Sequence, residues 1–491
     1  MISIKQLDSV NIKIDCDRGI AKEFSSFFTF TVPNYKFTPA YKNKIWDGKI
    51  RLFNTLTHTL YAGLLDYVFK FCEERGYKLE YTPLSSILDP TDESITDFID
   101  KCKTYNNGKE IKPHDHQIDA IKYALKNKRS LLISPTGSGK SLIIYMMVRY
   151  LLDNMPEDKR ILIVVPTTGL VTQMYNDFKD YSNKDGFVKN HCHQLYSGED
   201  KVTKKRIVIT TWQSVYKLKE DYYKDFYCVF GDECHLFKAK SLSTLMSKMK
   251  DCPFRTGTTG TLDGTHVHKL VIEGLFGKVF NVTTTKNLMD KNLLSNLKIK
   301  CLLLQYSDTE INSIKRAEYN EEIEWLILHK NRNEFISNLA NNLHGNILVL
   351  FNFVDKHGIP LYNQIKQKNK KETYFISGKT DVAEREEIRK IVDTHTNSVL
   401  VASYGTCSTG INIKNINSII FASSSKSLVR VLQSIGRGLR KSDDKDKVTV
   451  YDIADDLKYK KHRNHTLRHM DERISIYTNE KFSFDVTSIR L

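Results

Sequence analysis

The sequence predicts an α/β protein: two tandem parallel-sheet domains preceded by a small α+β N-terminal domain. Three observations predict it. From Ile111, apolar runs of strand length alternate with helix-length segments, the pattern of a parallel sheet with helical crossovers. The alternation breaks over 286–345 and resumes from Asn346, so a second sheet follows the first. At 491 residues the chain exceeds one core, and length suggests roughly three domains. The segments expected are 1–98 (small module plus linker), 99–285 (first α/β domain), 286–455 (connector helices and second α/β domain) and 456–491 (basic extension).

The totals narrow the function classes. The chain is 40% hydrophobic and 27% charged, a globular balance. No apolar run approaches the ~20 residues that span a bilayer, and Arg149 interrupts the longest helical candidate. No membrane partner is expected. MISIKQLDSV lacks the layout of a signal peptide, so a cytoplasmic, intracellular location is expected. Nine cysteines without a C-x-x-C pair indicate neither a disulfide framework nor a zinc site. His191-Cys192-His193 looks metal-like, yet neighbours on a strand point to opposite faces. The 74 Lys and Arg against 58 Asp and Glu give a net charge of +16, which suits a polyanionic partner such as nucleic acid.

In the N-terminal module, VNIKIDC, FFTFTV and KIRLF alternate apolar and polar positions before a helical GLLDYVFKFCEERG. The stretch AYKNKIWDGKIRLF interleaves aromatic and cationic residues, with Trp46, Lys49 and Arg51 as candidates for a phosphate backbone and a stacked base. Trp46 as a core anchor with charges on a solvated edge is an equal alternative. Pro83–Phe98, rich in Pro, Ser and Asp, reads as the linker.

The first α/β domain is organised around LLISPTGSGKS. An apolar strand, a loop of Gly and Pro, and an apolar helix make a ready anion site. Ser134 stands where the first glycine of the phosphate-loop pattern is usually written. Thr136, Gly137, Ser138 and Gly139 would cradle the phosphates of ATP, Lys140 would reach the β- and γ-phosphates, and Ser141 would hold Mg²⁺. Gln117, opening DAIKYALKN, is placed to read the adenine edge. Strands ending at Val165 and Thr210 are followed by Thr167, Thr168 and Thr211, hydroxyls at the carboxyl edge where ligands of parallel sheets bind. They suit a nucleic-acid backbone, and Thr168 also suits a helix N-cap. The apolar strand Phe226–Phe230 runs into Gly231-Asp232-Glu233-Cys234-His235, roughly 90 residues after Ser141. Asp232 would position Mg²⁺ and Glu233 would polarise the attacking water.

The second α/β domain repeats the strand–helix pattern through NILVLFN, ETYFIS, SVLVASY, NSIIFAS and KVTVYDI without a phosphate loop of its own. Ser377 and Gly378, after ETYFI, are candidates for the nucleic-acid backbone. In LVRVLQSIGRGLRK, Gln433, Gly436, Arg437 and Arg440 are spaced to share one helix face. Two arginines on a glycine-interrupted helix fit a γ-phosphate better than a core, and such arginines are worth roughly 10³–10⁵ in rate. The basic run after 456 reads as a solvated helix.

ISPTGSGKS, VVPTTGL, DECH, TGT and QSIGRGLR, in that order, resemble the superfamily 2 helicases and translocases. With AYKNKIWDGKIRLF, SYGTCSTGINIKN and EKFSF added, nearly the whole chain resembles the UvsW-type recombination and repair helicases of tailed phages. The resemblance implies RecA-like α/β domains, and coupling of the ATP site to strand separation through His235, Thr259, Thr261 and Gln433. It also implies Gly410 and Asn412 near the ribose; Asn412 stands where Asp is frequent, leaving hydrogen bonding alone. It implies DNA-stimulated ATP hydrolysis with Mg²⁺, remodelling of forks and Holliday junctions, and removal of RNA from R-loops. The expected partners are branched or single-stranded DNA, an RNA–DNA hybrid and a small accessory protein. A motor subunit of a nuclease or restriction complex, and a nucleotide-gated clamp that does not unwind, are the rival readings.

Overall fold

The structure, a computed structural model, describes residues 1–491 apart from Asn34, Ser86, Lys184, 197–202, Ala239, 263–265, Ile411, Asn412, Lys414, Ser425, Lys426 and 440–446. Within helices it leaves out the side chains of Lys238, 266–268, Val382, 408–410, 428–430, Gln433 and Arg437. By contact density the chain divides into two units, Met1–Ser134 with Gly139–Val282, and Pro135–Ser138 with Thr283–Leu491.

The first unit begins with the small module: β1 (Ile2–Gln6), β2 (Asn11–Asp15), α1 (Arg18–Phe27), β3 (Thr29–Thr31), α2 (Pro39–Lys42), β4 (Lys49–Arg51), β5 (Thr59–Tyr61), α3 (Leu65–Glu74) and β6 (Leu79–Thr82). Its mixed sheet has the order β5-β2-β1-β6, and β3 pairs with β4. Alternation decides the buried face: Ile2, Ile4, Ile12 and Ile14 are all shut from solvent, against Phe24, Phe28 and Phe71. The module is docked on the helix His266–Phe276 of the same unit, whose Leu270 joins the module's core. Tyr67 Oη donates to Glu273 Oε2 at 2.8 Å. Gly63 lies so close to the Glu273 carbonyl that a Cβ there would collide with it.

The expected linker is partly structured. Residues Asp92–Lys101 form α4, started by a Thr91–Ser94 capping box, and Ile95 and Ile99 bury one face in the first sheet's core. A small hairpin, β7 (Thr104–Asn106) and β8 (Lys109–Ile111), then leads into α5 (Asp115–Asn127), β9 (Arg129–Ile133), α6 (Lys140–Asn154), β10 (Arg160–Val165) and α7 (Thr168–Tyr181). The remaining strands are β11 (Cys192–Leu195), β12 (Ile207–Thr211), β13 (Phe226–Asp232), β14 (Phe254–Thr259) and β15 (Val279–Asn281). They form an all-parallel sheet in the order β11-β12-β10-β13-β14-β9-β15, with a hydrophobic core on each face.

The second unit repeats the build with β16 (Asn296–Gln305), β17 (Ile347–Phe351), β18 (Glu372–Ile376), β19 (Ser398–Ser403), β20 (Ser418–Phe421), β21 (Lys447–Asp456) and β22 (Phe484–Arg490). All pairings are parallel, in the order β18-β19-β17-β20-β21-β16-β22. Two sequence expectations differ here. The stretch set aside as helical connector contains β16, paired on both sides, and 456–491 is no separate extension. Its helix His465–Asn479 buries Leu467, Met470, Ile476 and Tyr477 rather than lying in solvent, and β22 extends the sheet. The helix start is held by Glu322, whose carboxylate accepts from the His465 and Thr466 amides at 2.8 Å each. Arg473 pairs with Asp452 at 2.8 Å and Arg332 with Asp455 at 2.8 Å, all four buried.

Candidate active site

The phosphate loop grows out of the carboxyl end of β9. The chain there turns through left-handed backbone at Gly137 (φ +86°) and Gly139 (φ +83°), which glycine adopts without the Cβ penalty. Gly139 also caps α6, and a Cβ on it would collide with Gln117 Nε2. Gln117 is buried against this loop, and its Oε1 accepts from the His114 amide at 2.8 Å in the capping box of α5. Lys140 Nζ donates to the Ser134 carbonyl at 3.0 Å, and Ser138 Oγ to the Pro135 carbonyl at 2.6 Å. The Ser141 hydroxyl meets the Tyr181 hydroxyl at 2.8 Å. Thr136 is half-buried in the loop.

The acidic pair sits at the carboxyl end of β13. Asp232 is buried and accepts from Thr258 Oγ1 at 2.8 Å, Thr258 being its cross-strand neighbour on β14. Burial, with repulsion from Glu233, pushes the Asp232 carboxyl above its ordinary range, while Lys140 and the Thr258 bond pull the other way. Glu233 holds a left-handed backbone (φ +49°), an uncommon conformation for a residue with a side chain and one found at functional sites. Its carboxylate lies 3.3 Å from His235 Nδ1. Thr259, fully buried at the end of β14, joins these groups: its hydroxyl is 3.0 Å from His235 Nδ1, 3.5 Å from Glu233 Oε2 and 2.9 Å from the Thr261 carbonyl. Its own carbonyl accepts from the Ser134 amide at 2.8 Å, which ties the root of the phosphate loop to the same residue.

A hydroxyl and a carboxylate are hard oxygen ligands of the kind Mg²⁺ takes one or two of, beside phosphate and water. Two neighbouring carboxylates with one raised by burial are a charge excess that a cation relieves, so Ser141 and Asp232 fit that ion. Among the described residues no group of three or more His, Cys, Asp or Glu is placed to hold a metal by itself.

The other candidates fall into three groups. At the carboxyl edge of neighbouring strands β10 and β12, Thr168 is exposed and opens α7, while Thr167 caps it by accepting from the Leu170 amide at 3.4 Å. Thr211, paired with Val165, is buried with its hydroxyl 3.0 Å from Ser214 Oγ. In the second unit Ser377 is buried and its Oγ accepts from the Lys379 amide at 3.3 Å, with open space beside Gly378. In the module Trp46 is half-buried and its ring N–H donates to the Lys49 carbonyl at 2.8 Å, while Arg51 is paired with Asp47 and Lys49 is exposed. Gly410 ends the helix Tyr404–Gly410, and Gln433, Gly436 and Arg437 lie on the helix Leu428–Gly438. Asn412, Arg440 and the side chains of Gln433 and Arg437 lie outside the described residues. Sequence reasoning missed Thr258, which adjoins Thr259 in TGTTGT, and Tyr181, which carries no spacing signal.

Comparison with known proteins places the chain in a family. Family models match three consecutive stretches: "DNA helicase UvsW, N-terminal" over residues 1–81, "Type III restriction enzyme, res subunit" over 110–264 and "Helicase conserved C-terminal domain" over 330–442. The ATP-dependent DNA helicase uvsW of Enterobacteria phage T4 is 34% identical over 99% of this chain and 98% of its own length. The crystal structure of T4 UvsW superposes with a TM-score of 0.52, at 32% identity, covering 100% of this chain and 99% of that one. The DNA 3'-5' translocase XPB2 of Sulfurisphaera tokodaii is 27% identical over 68% of this chain and 80% of its own. With a phosphate loop, an acidic pair and two parallel sheets behind a matching N-terminal module, the chain belongs to the UvsW family of DNA helicases.

Proposed function

We propose that this protein is an ATP-dependent DNA helicase that unwinds and remodels branched DNA, forks, Holliday junctions and R-loops among its substrates. The observation that carries the reading is the Ser134–Thr259–His235–Glu233 connection, which joins the phosphate loop to the hydrolytic carboxylate through one buried threonine, its carbonyl on Ser134 and its hydroxyl on His235. In this mechanism Lys140 leaves the Ser134 carbonyl to offset charge on the β- and γ-phosphates, and Gln117 offers its amide to adenine. Ser141 and Asp232 would hold Mg²⁺, which would supply Lewis-acid stabilisation of the phosphoryl oxygens. Glu233 takes a proton from the attacking water. Arg437 and Arg440 bring guanidinium charge to the γ-phosphate, and Gly410 and Asn412 serve the ribose. Thr261 and Gln433 pass the nucleotide state to DNA held by Thr167, Thr168, Thr211, Ser377 and Gly378, with Trp46, Lys49 and Arg51 of the module on the duplex.

DNA contact through hydroxyls suits a sequence-tolerant motor, since phosphate contacts position without reading bases. An RNA–DNA hybrid is a second substrate, and a small accessory protein a further partner. The match of residues 1–81 to the UvsW module favours this reading over a motor subunit of a restriction complex. The test is ATP turnover and displacement of a labelled strand, measured on single-stranded, forked and junction DNA. Wild type should be stimulated by DNA and should displace the strand. Lys140→Ala should do neither, and normal turnover in that variant would remove the site assignment. Retardation of the fork without displacement would make the protein a clamp.

A further inference from the structure

The Ser141 hydroxyl has a partner that the helicase reading does not use. Tyr181 ends α7, and its Oη lies 2.8 Å from Ser141 Oγ across 40 positions of sequence. The ring is fixed in place from below. Ser141 and Tyr145 are four apart on α6 and so share a face, and the Tyr181 ring packs on Tyr145 at 5.5 Å between centroids. Tyr145 in turn meets Phe178 of α7 at 5.2 Å and Phe187 at 5.8 Å, and accepts from Arg149 at 2.7 Å. The end of α7 is tied down as well: both Asp180 carboxylate oxygens accept from the Asn107 amide, at 3.0 and 2.9 Å, in the hairpin that leads into α5. A phenol anchored in this way sets the direction of the hydroxyl it meets.

We propose that Tyr181 is a positioning residue for the metal-binding hydroxyl of Ser141. It accepts the Ser141 proton, so that the serine lone pairs turn toward the cation that accompanies the triphosphate. A serine hydroxyl has one proton and two lone pairs; with the proton fixed on the phenol, the oxygen presents itself to Mg²⁺ without a rotamer search. The helix that carries Tyr181 begins at Thr168, beside the proposed DNA contact, and at 14 residues it is about 21 Å long. One rigid element thus runs from the DNA-contacting threonines to the metal-binding serine. This inference rests on the reading of Ser141 as a metal ligand.

The experiment is the affinity of the full chain for a fluorescent ADP carrying a methylanthraniloyl group, titrated with Mg²⁺ and with EDTA. The readout is the ratio of the two dissociation constants. Ser141→Ala should bring the ratio close to one. Tyr181→Phe keeps the ring on Tyr145 and removes only the hydroxyl; it should lower the ratio about five-fold through loss of the preset Ser141 orientation, with EDTA affinity unchanged and a cooperative melting transition retained. Tyr181→Phe added to Ser141→Ala should change nothing more. Tyr145→Phe, which loses the Arg149 bond but leaves Tyr181 its hydroxyl, should keep the wild-type ratio. A wild-type ratio in Tyr181→Phe, with Ser141→Ala reduced, overturns this inference alone. An undiminished ratio in Ser141→Ala overturns the metal assignment and this inference with it. A drop in Tyr145→Phe equal to that in Tyr181→Phe would reduce Tyr181 to packing.

Discussion

Replacing Gly139 with alanine tests how tightly the phosphate loop and Gln117, the proposed adenine reader, are built into one object. The native backbone there has φ +83° and ψ +37°, and a Cβ in that left-handed region costs about 1–2 kcal/mol. The same Cβ would collide with Gln117 Nε2, so Gln117 must also leave. Its departure breaks the 2.8 Å bond from the His114 amide, a capping interaction worth about 1 kcal/mol. The sum is about 2–3 kcal/mol, or about 4 °C in the melting temperature of a unit this size. Gln117→Ala alone loses the cap without the backbone strain at 139. Once the glutamine is gone, alanine at 139 meets only the backbone term, so the double variant should lose about 1 kcal/mol less than the two singles added together. Thermal melting of the nucleotide-free protein, wild type, both singles and the double, reads this directly. Strict additivity would mean that the two residues do not share space, and the account of Gly139 as a contact-forced glycine would fail.

Asp232→Asn should abolish ATP turnover and yet raise the melting temperature of the apo protein, because it removes a desolvated charge beside Glu233 while keeping an acceptor for Thr258. His357 is buried between Ser423 Oγ and Asn333 Oδ1, at 3.2 Å each, and burial with the nearby Arg332 lowers its pKa from 6.5 to about 3. A depressed value means stability present above the unfolded pKa and lost as pH falls below it; at pH 5 the loss is about 2 kcal/mol. Denaturant melts of His357→Asn at pH 7 and pH 5 should show that acid-side loss removed, and an unchanged loss would place its source elsewhere. Thr259→Val keeps the backbone carbonyl that accepts from Ser134 but deletes the hydroxyl shared by His235 and Glu233. Basal ATP turnover should stay within a few-fold while base pairs opened per ATP fall at least ten-fold, as read by paired phosphate-release and strand-displacement assays.

The parts legible in the sequence are those whose determinants are local. LLISPTGSGKS specifies its own strand, loop and helix because the glycines that must be left-handed and the apolar run that must be buried lie within a dozen residues. Phe226–Asp232 is legible for the same reason, an apolar strand that stops at its acids. The second sheet was legible only in part. Asn296–Gln305 becomes a strand by pairing with residues some 150 and 180 positions away, and no local period announces that pairing. The basic composition of 456–491 suggested solvent, but the helix places its arginine and histidine among partners: Arg473 on Asp452, and His469 near Ser424 at 3.3 Å. Composition weighs charge without knowing which charges find a counter-charge. In the linker, Ile95 and Ile99 at helical spacing carry the signal of a buried face, against the Pro and Ser around them. Trp46 and Arg51 show the opposite limit. Their types suit DNA, yet the structure gives the indole N–H to the Lys49 carbonyl and the guanidinium to Asp47, partners that spacing alone does not reveal.

A common design links the groups of the nucleotide site. Lys140 rests on the Ser134 carbonyl, Ser141 on Tyr181, Gln117 on the His114 amide and Asp232 on Thr258. On the proposed mechanism the bonds of Lys140 and Gln117 are ones that a bound nucleotide replaces with comparable bonds, so that exchange yields little net affinity, while the bond between Tyr181 and Ser141 is kept. What the exchange does yield is displacement. If Lys140 leaves Ser134 as proposed, it releases the residue whose amide is bonded to Thr259, and Thr259 holds His235 beside the Glu233 carboxylate. A site built from groups without internal partners would bind ATP tightly and release its products slowly. A site that trades bond for bond lets binding energy appear as rearrangement at Thr259, which a motor requires at every turnover.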